Sequence, residues 1–170
     1  MILESRFLEK PAFAVEQGRN AARHMEKDSR KALNIALDLI YDYSEEQAEH
    51  VQEIESKVDR YEDELGTYLV KLNNKNLSER DSHSVSTMLH CLGDFERISD
   101  HAVNIMESAQ ELHEKKLTFS AQARNELKVL IAAVSRIVDT AYQIFDKQDL
   151  NLTEDVEPLE EIVDLSLIHI

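Results

Sequence analysis

The stretch FERISDHAVNI, Phe95 to Ile105, has the composition of a helix and contains neither proline nor glycine. Two acids, Glu96 and Asp100, lie four residues apart within its apolar pattern. At about 100° per residue, Asp100 falls roughly 40° from Glu96, on the arc that also carries Leu89 and Val103. The two acids therefore interrupt the apolar stripe that a helix normally turns toward the core. Their negative charges must be neutralised or must reach water.

The preceding helix repeats this arrangement in IESKVDRYEDEL, Ile54 to Leu65, where Glu55 and Asp59 are again four residues apart. Like charges at this spacing destabilise a helix by a few tenths of a kcal/mol, and burying them without a partner costs more. Protons or a metal cation would neutralise them. Carboxylate oxygens suit Mg²⁺, Mn²⁺ or iron. The alternative is that both pairs are boundary residues that need no ligand.

The composition favours a helical protein that does not bind nucleic acid. The 170 residues include only three glycines and two prolines, and 31% of the residues are charged. The net charge of −15 argues against nucleic acid and anionic membrane surfaces as partners and is compatible with cations or a basic protein surface. A single cysteine, Cys91, cannot form a disulfide within the chain, which fits the cytosolic side of a membrane.

Periodicity predicts long helices separated by short polar breaks, without strand alternation. Ser44 with Gln47 resembles a capping box, and Ser78 is a candidate cap for the next helix. The predicted helices cover residues 12–43, 44–73, 78–116 and 120–147, and a fifth begins near residue 158. The predicted class is all-α, an antiparallel three-helix bundle followed by an incomplete second three-helix unit.

A short internal repeat supports this division. IESKVD at residues 54–59 and LEEIVD at residues 159–164 share the pattern apolar, Glu, any, any, Val, Asp. We therefore expect a duplicated three-helix unit, with residues 12–117 as the first copy and 118–164 as an incomplete second copy. Glu160 and Asp164 would form half of a second acidic site.

The sequence carries no recognisable catalytic motif. No histidine has a glutamate three residues before it, as the di-iron carboxylate bundles require. The patterns G-x-x-x-x-G-K, H-E-x-x-H and G-x-S-x-G are also absent. We therefore expect a protein that is not an enzyme. Cys91 lies at the apolar edge of its helix, where core packing is its expected role.

The stretch LGDFERISDHAVNIMESA, residues 92–109, resembles the LERIGDHA-type motif of PhoU-domain proteins, with Ser99 where glycine is common. IESKVDRYEDEL resembles the matching motif on the preceding helix. The resemblance implies an α-helical domain of two three-helix units, in which these acidic motifs bind metal clusters, often of iron. Carried over by position, the implied ligands of an iron, manganese or magnesium site are Glu55, Asp59, Glu96 and Asp100.

The opening LESRFLEKPAFAVEQGRNAARHM resembles the segment that follows the last membrane helix of bacterial sodium/phosphate cotransporters. It implies a cytosolic regulatory domain that controls phosphate uptake at the cytoplasmic face of the inner membrane, with residues 1–11 as a linker after an upstream membrane region. The implied partners are the transporter's membrane domain in the same full-length chain and a second copy of the domain, without a small-molecule substrate.

A free PhoU-type adaptor, which would restrain the phosphate ABC importer and its two-component signalling, is the alternative function. Apolar segments of about 20 residues encoded upstream would favour the transporter. At the other end, LSLIHI, residues 165–170, can be read as the translation of a sequencing-library adapter. We expect this tail to be non-native and the native sequence to be truncated after about Asp164.

Overall fold

The computed structural model describes residues 3–147, apart from the side chain of Ser5. A 3₁₀ helix, Ser5–Glu9, precedes four α-helices: α1 (Pro11–Leu39), α2 (Glu45–Asn73), α3 (Glu79–Glu114) and α4 (Ala121–Lys147). These residues contain no strand, and α1, α2 and α3 pack together as a bundle, so the predicted all-α class is confirmed.

The chain divides into two compact units between His113 and Glu114, so α4 is described by itself. It is amphipathic, and its buried residues are Ala133 and Tyr142. The predicted fifth helix, the second acidic pair and the C-terminal tail lie outside the described residues. The predicted domain boundaries, including the linker at residues 1–11, stay predictions.

Serine side chains begin three of the helices, as the sequence predicts for Ser44 and Ser78. The Ser44 hydroxyl accepts a hydrogen bond from the backbone N–H of Gln47 at 3.4 Å. Ser78 accepts from the N–H of Asp81 at 3.1 Å and donates to its carboxylate at 2.8 Å. Ser120 caps α4 in the same way. Each cap satisfies an N–H group that the first helical turn leaves without a partner.

The end of α1 differs from the prediction. The periodic pattern extends to Tyr43, but the helix ends at Leu39. The N–H groups of Tyr41 and Asp42 both donate to the carbonyl of Asp38, at 3.0 and 3.1 Å, which tightens the last turn and turns the chain toward α2. Apolar spacing alone does not reveal this shared acceptor.

The core of the bundle combines small residues on α1 with large ones on α2 and α3. The buried small residues of α1 are Ala14, Gly18, Ala21, Ala22, Ser29, Ala32 and Ala36. Fully buried side chains of α2 and α3 include Val51, Val58, Leu65, Leu69, Leu72, Val85 and Met106. Where α1 carries these small residues the other helices can approach its backbone closely, and its large buried residues, such as Met25 and Leu33, pack into the same core. Burial of these apolar groups is the main force that holds the bundle together.

Polar contacts fix how the helices sit against one another. Lys57 on α2 forms an ion pair with Asp28 on α1, with Nζ 2.7 Å from Oδ2, and this partner raises the pKa of the Lys57 ammonium. On α1, the Arg19 guanidinium donates to the hydroxyl of Ser84 on α3 at 3.0 Å. Such contacts add little net free energy but select one helix rotation over its alternatives.

Two glycines provide a matched test of this packing. A Cβ at Gly18 would lie 3.0 Å from Leu69 Cδ2, whereas a Cβ at Gly93 would meet nothing within 4 Å. Alanine improves helix propensity over glycine by about 0.8–1.0 kcal/mol. We expect Gly93→Ala to raise the free energy of unfolding by about that amount. Gly18→Ala should give no such increase, because the new Cβ crowds Leu69 and offsets the gain in helix propensity. Urea denaturation followed by circular dichroism measures both, and an equal gain at the two sites would contradict this packing.

Candidate functional site: the acidic face of α2 and α3

The four predicted site residues lie at the edge of the core. On α2, Glu55 is half-buried and Asp59 is exposed, and on α3 Glu96 is half-buried and Asp100 is exposed. The fully buried Val58 is the immediate neighbour of Asp59. In each pair the glutamate is drawn toward the core and the aspartate reaches water. The two glutamates thus lie at the edge of the core, whereas the two aspartates, which the helical angles place beside the apolar stripe, are exposed.

The electrostatics show which of these acids come together. The pKa of Glu96 is raised, first because burial disfavours its charged form, and then because of the charge of Asp100 and a hydrogen bond with its carboxyl group. The charges of Glu62 and Asp59 on α2 raise it further. We call Asp59, Glu62, Glu96 and Asp100 the acidic cluster. It spans α2 and α3 and favours the uptake of a proton.

The acidic cluster and the set of predicted ligands differ at one residue of α2. Glu62 belongs to the cluster but is not a predicted ligand, although it lies only about 20° from the predicted ligand Glu55 around the helix. Glu55 is not among the groups that shift the pKa of Glu96, and its carboxylate accepts a hydrogen bond from Ser56 at 3.2 Å.

The motif's serine has a structural role beside the cluster. Ser99 is 1% exposed, and its hydroxyl donates to the backbone carbonyl of Glu96 at 2.8 Å. This bond satisfies the buried hydroxyl within its own helical turn. Serine therefore replaces glycine at this position of the motif without leaving a polar group unpaired, and it keeps the small volume that close helix packing needs.

The cluster was tested for its fit to a metal ion. Within residues 3–147, no three histidine, cysteine, aspartate or glutamate side chains are close enough together to hold one ion. The acids as placed therefore do not supply a complete ligand set for the iron, manganese or magnesium site that the resemblance implies. The metal site stays a prediction, and the raised pKa of Glu96 shows that its surroundings favour the protonated form.

The raised pKa of Glu96 predicts how stability depends on pH. The folded state keeps this proton at pH values where the unfolded chain, with an ordinary glutamate pKa of about 4.3, has lost it. The contribution of Glu96 to the free energy of unfolding is thus greatest below the pKa of the unfolded chain, and it is lost as the pH rises through the raised pKa of the folded state. We expect Glu96→Gln to be more stable than the wild type at pH 7 and equal to it below pH 4.

Urea denaturation across this pH range measures the effect. Asp94→Asn is the matched control, because Asp94 is exposed on the opposite face of the same helix. This substitution removes one negative charge, as Glu96→Gln does. It should keep the pH dependence of the wild type. A Glu96→Gln chain with the same pH dependence as the wild type would show that the cluster does not hold a proton.

Cys91 behaves as a core residue. It is a free thiol that is half-buried on α3, and burial, together with the charge of Asp94, raises its pKa. A thiol with a raised pKa holds little of the reactive thiolate at neutral pH. This agrees with the packing role that the sequence predicted for it.

Comparison with known protein families shows to which family the chain belongs. The model of the PhoU domain matches residues 22–109, just over half of the chain. This match covers all of α2 and most of α1 and α3, including every member of the acidic cluster. The chain belongs to the PhoU domain family. The family resemblance of the two acidic motifs is therefore confirmed, while the specific resemblance to sodium/phosphate cotransporters is not tested by this match.

A curated relative gives the family a context. The chain is 24% identical over 135 residues to the phosphate-specific transport system accessory protein PhoU homolog 1 of Thermotoga maritima. The alignment covers 79% of this chain and 57% of that relative, so the chain spans little more than half of the relative's length. No solved structure matches this chain. None of the helices in residues 3–147 is long and apolar enough to cross a membrane.

Proposed function

We propose that this PhoU domain is a regulatory, non-catalytic domain that controls phosphate transport. The observation that carries the proposal is the family match over α1 to α3, which contains both acidic motifs. The Thermotoga relative is named as an accessory protein of a phosphate-specific transport system, which supports the same role. The domain acts in this proposal by binding other proteins, because its distinctive chemistry is a charged helical surface.

The acidic cluster is the surface we assign to regulation. A carboxyl group that is half desolvated and repelled by three neighbouring acids gains from any proton or basic group that reaches it. A basic side chain of a partner would be attracted to it at long range and would replace the proton on contact. The cluster is thus suited to a docking interaction whose strength depends on pH and on salt.

The favoured context is the cytosolic domain of a sodium/phosphate cotransporter at the cytoplasmic face of the bacterial inner membrane. Its support is the resemblance of residues 3–25 to the segment after the last membrane helix of those transporters. The membrane domain of the same full-length chain would then be the docking partner, with a second copy of the domain as a further partner. Radiolabelled phosphate uptake by the host bacterium should depend on sodium.

The second candidate is a free adaptor of the phosphate ABC importer and its two-component signalling. The name of the Thermotoga relative, an accessory protein, favours it. Both candidates predict that deletion of the gene segment for this domain weakens the repression of phosphate uptake by external phosphate. Only the first predicts that the uptake under its control requires sodium. Uptake that stays fully repressed by phosphate after the deletion would contradict both.

The metal prediction has its own test, which is elemental analysis of the purified chain by mass spectrometry. Stoichiometric iron or manganese in the wild type, lost in the Glu96→Gln/Asp100→Asn double variant, would support the ligand role that the family resemblance implies. A wild type without bound metal after incubation with Fe²⁺ and Mn²⁺ would contradict it. Glu53→Gln/Asp94→Asn, which removes the same charge from other faces of α2 and α3, is the matched control.

A further inference from the structure

A cleft of about 400 Å³ lies between the N-terminal segment and the C-terminal half of α2. Leu3 and Leu8 line it from the N-terminal segment, and Tyr68 lines it from α2. Tyr68 is 4% exposed, and its hydroxyl donates to the carbonyl of Ala14 at 3.4 Å, so its polar atom is already satisfied. These residues form the apolar part of the cleft, and polar and charged residues of α2 line the rest.

The N-terminal segment is held in place by aromatic contacts. Phe7 packs edge-to-face on Phe13 of α1, with 5.1 Å between the ring centroids, and the Arg6 guanidinium lies 5.5 Å from the Phe7 ring. The backbone N–H of Lys10 donates to the carbonyl of Phe7 at 3.0 Å, which ties the segment to the start of α1. This wall of the cleft is therefore built before any ligand arrives, which lowers the entropy cost of binding.

The rim of the cleft has opposite charges at its two ends. Asp63 and Glu64 are exposed at one end, and Lys71 is exposed two helical turns further along α2, with Thr67 between them. At 1.5 Å per residue, the two ends are about 10–12 Å apart along the helix axis. Within the part of the chain that the structure describes, Asp63, Glu64 and Lys71 form no ion pair with one another or with other residues.

We propose that this cleft binds a short extended segment of a partner protein, with a basic side chain at one end, an acidic side chain at the other and aliphatic side chains between them. In an extended segment the side chains of the first, third and fifth residues point to the same face, and about 13 Å separates the first from the fifth, close enough to 10–12 Å for long charged side chains to reach both ends. The volume of the cleft is within the range of about 300–1,000 Å³ that is typical of ligand sites. Leu3, Leu8 and Tyr68 would contact the aliphatic side chains, and the two ends of the rim would pair with the charges.

The charge arrangement selects this occupant over simpler ones. A ligand that carries only positive charge would meet Lys71, and one that carries only negative charge would meet Asp63 and Glu64. An uncharged apolar segment would leave the charges at both ends without partners while it removes water from them. A dipolar segment satisfies both ends at once, and its two ion pairs fix the register in which it binds.

The test is a titration of the ¹⁵N-labelled chain with acetylated and amidated pentapeptides, followed by amide chemical shifts. Arg-Leu-Leu-Leu-Glu should bind about fivefold to tenfold more tightly than Gln-Leu-Leu-Leu-Gln, the difference expected from two exposed ion pairs. The largest shifts should fall at Leu8, Thr67 and Tyr68. Equal affinity for the two peptides, or shifts confined to other parts of the chain, would overturn the proposal.

A charge reversal on the protein sharpens this test. Lys71→Glu should reverse the preference, so that Arg-Leu-Leu-Leu-Arg binds more tightly than Arg-Leu-Leu-Leu-Glu. Lys71 is exposed, and circular dichroism confirms that the variant is folded. Lys75→Glu makes the same charge change just beyond the end of α2 and should keep the wild-type preference. A preference that is unchanged by Lys71→Glu would overturn the proposal, and it would leave the regulatory role of the acidic cluster untouched.

Discussion

Replacing Val58 by aspartate is expected to lower the free energy of unfolding by about 4 kcal/mol or more, a large part of the 5–15 kcal/mol that usually stabilises a domain. Val58 is 0% exposed on α2, directly beside the exposed Asp59. The variant loses the burial of an aliphatic side chain, worth about 1.5–3 kcal/mol, and places a carboxyl group in the core without a partner. The neighbouring substitution Asp59→Val should change stability by less than about 1 kcal/mol, because that side chain already reaches water.

Urea denaturation followed by circular dichroism measures both variants. The double variant Val58→Asp/Asp59→Val provides a further control, because it has the composition and net charge of the wild type. It should be nearly as unstable as Val58→Asp alone, since the cost comes from where the acid lies. A Val58→Asp chain within about 1 kcal/mol of the wild type would mean that α2 is rotated away from the position described for it.

Leu69→Ala is expected to cost about 2–5 kcal/mol, the range measured for leucines removed from close-packed cores. Leu69 is 0% exposed and lies over Gly18 of α1, so its removal leaves a cavity between the two helices. The adjacent Val70 is 53% exposed, and Val70→Ala should change stability by no more than about 0.5 kcal/mol. The two positions share one helix and differ in the face on which they lie.

The contact between Leu69 and Gly18 adds a coupling to this prediction. In the Leu69→Ala background the Cβ of Gly18→Ala no longer meets a leucine methyl group, so the substitution should now stabilise the chain. A double-mutant cycle measured by denaturation should show a coupling free energy of about 0.5–3 kcal/mol, as is usual for residues in contact. Strict additivity would contradict the close approach of α1 and α2.

The features that could be predicted from the sequence are those decided by local chemistry. Ser44 and Ser78 begin helices because their hydroxyls bond to N–H groups three residues further along the chain. The end of α1 was misplaced because it depends on how the carbonyl of Asp38 is shared between two N–H groups. Apolar periodicity continues through that turn and contains no information about which acceptor each N–H group chooses.

The sequence indicated which side of each helix carries the acids, but not which acids of the two helices come closest together. The helical angles placed Glu96 and Asp100 beside the core stripe, and in the structure Glu96 is half-buried while Asp100 is exposed. Whether Glu55 or Glu62 lies nearer to Glu96 depends on the rotation and register of α2 against α3, which many distant packing contacts set together. A periodic pattern on one helix does not contain that information. The N-terminal cleft was missed for the same reason, because its two walls are distant in the sequence.

The most direct test of the regulatory role is radiolabelled phosphate uptake by the host bacterium at low and high external phosphate. The chromosomal gene would carry Asp59→Asn/Asp100→Asn, two exposed members of the acidic cluster that are replaced without disturbing the core. Glu53→Gln/Asp94→Asn, with the same loss of charge on other faces of α2 and α3, is the control. We predict that the cluster variant weakens the repression of uptake at high phosphate several-fold and that the control keeps it. Full repression in both variants, with both proteins folded and present at wild-type levels, would contradict the assignment of the acidic cluster to the regulation of phosphate transport.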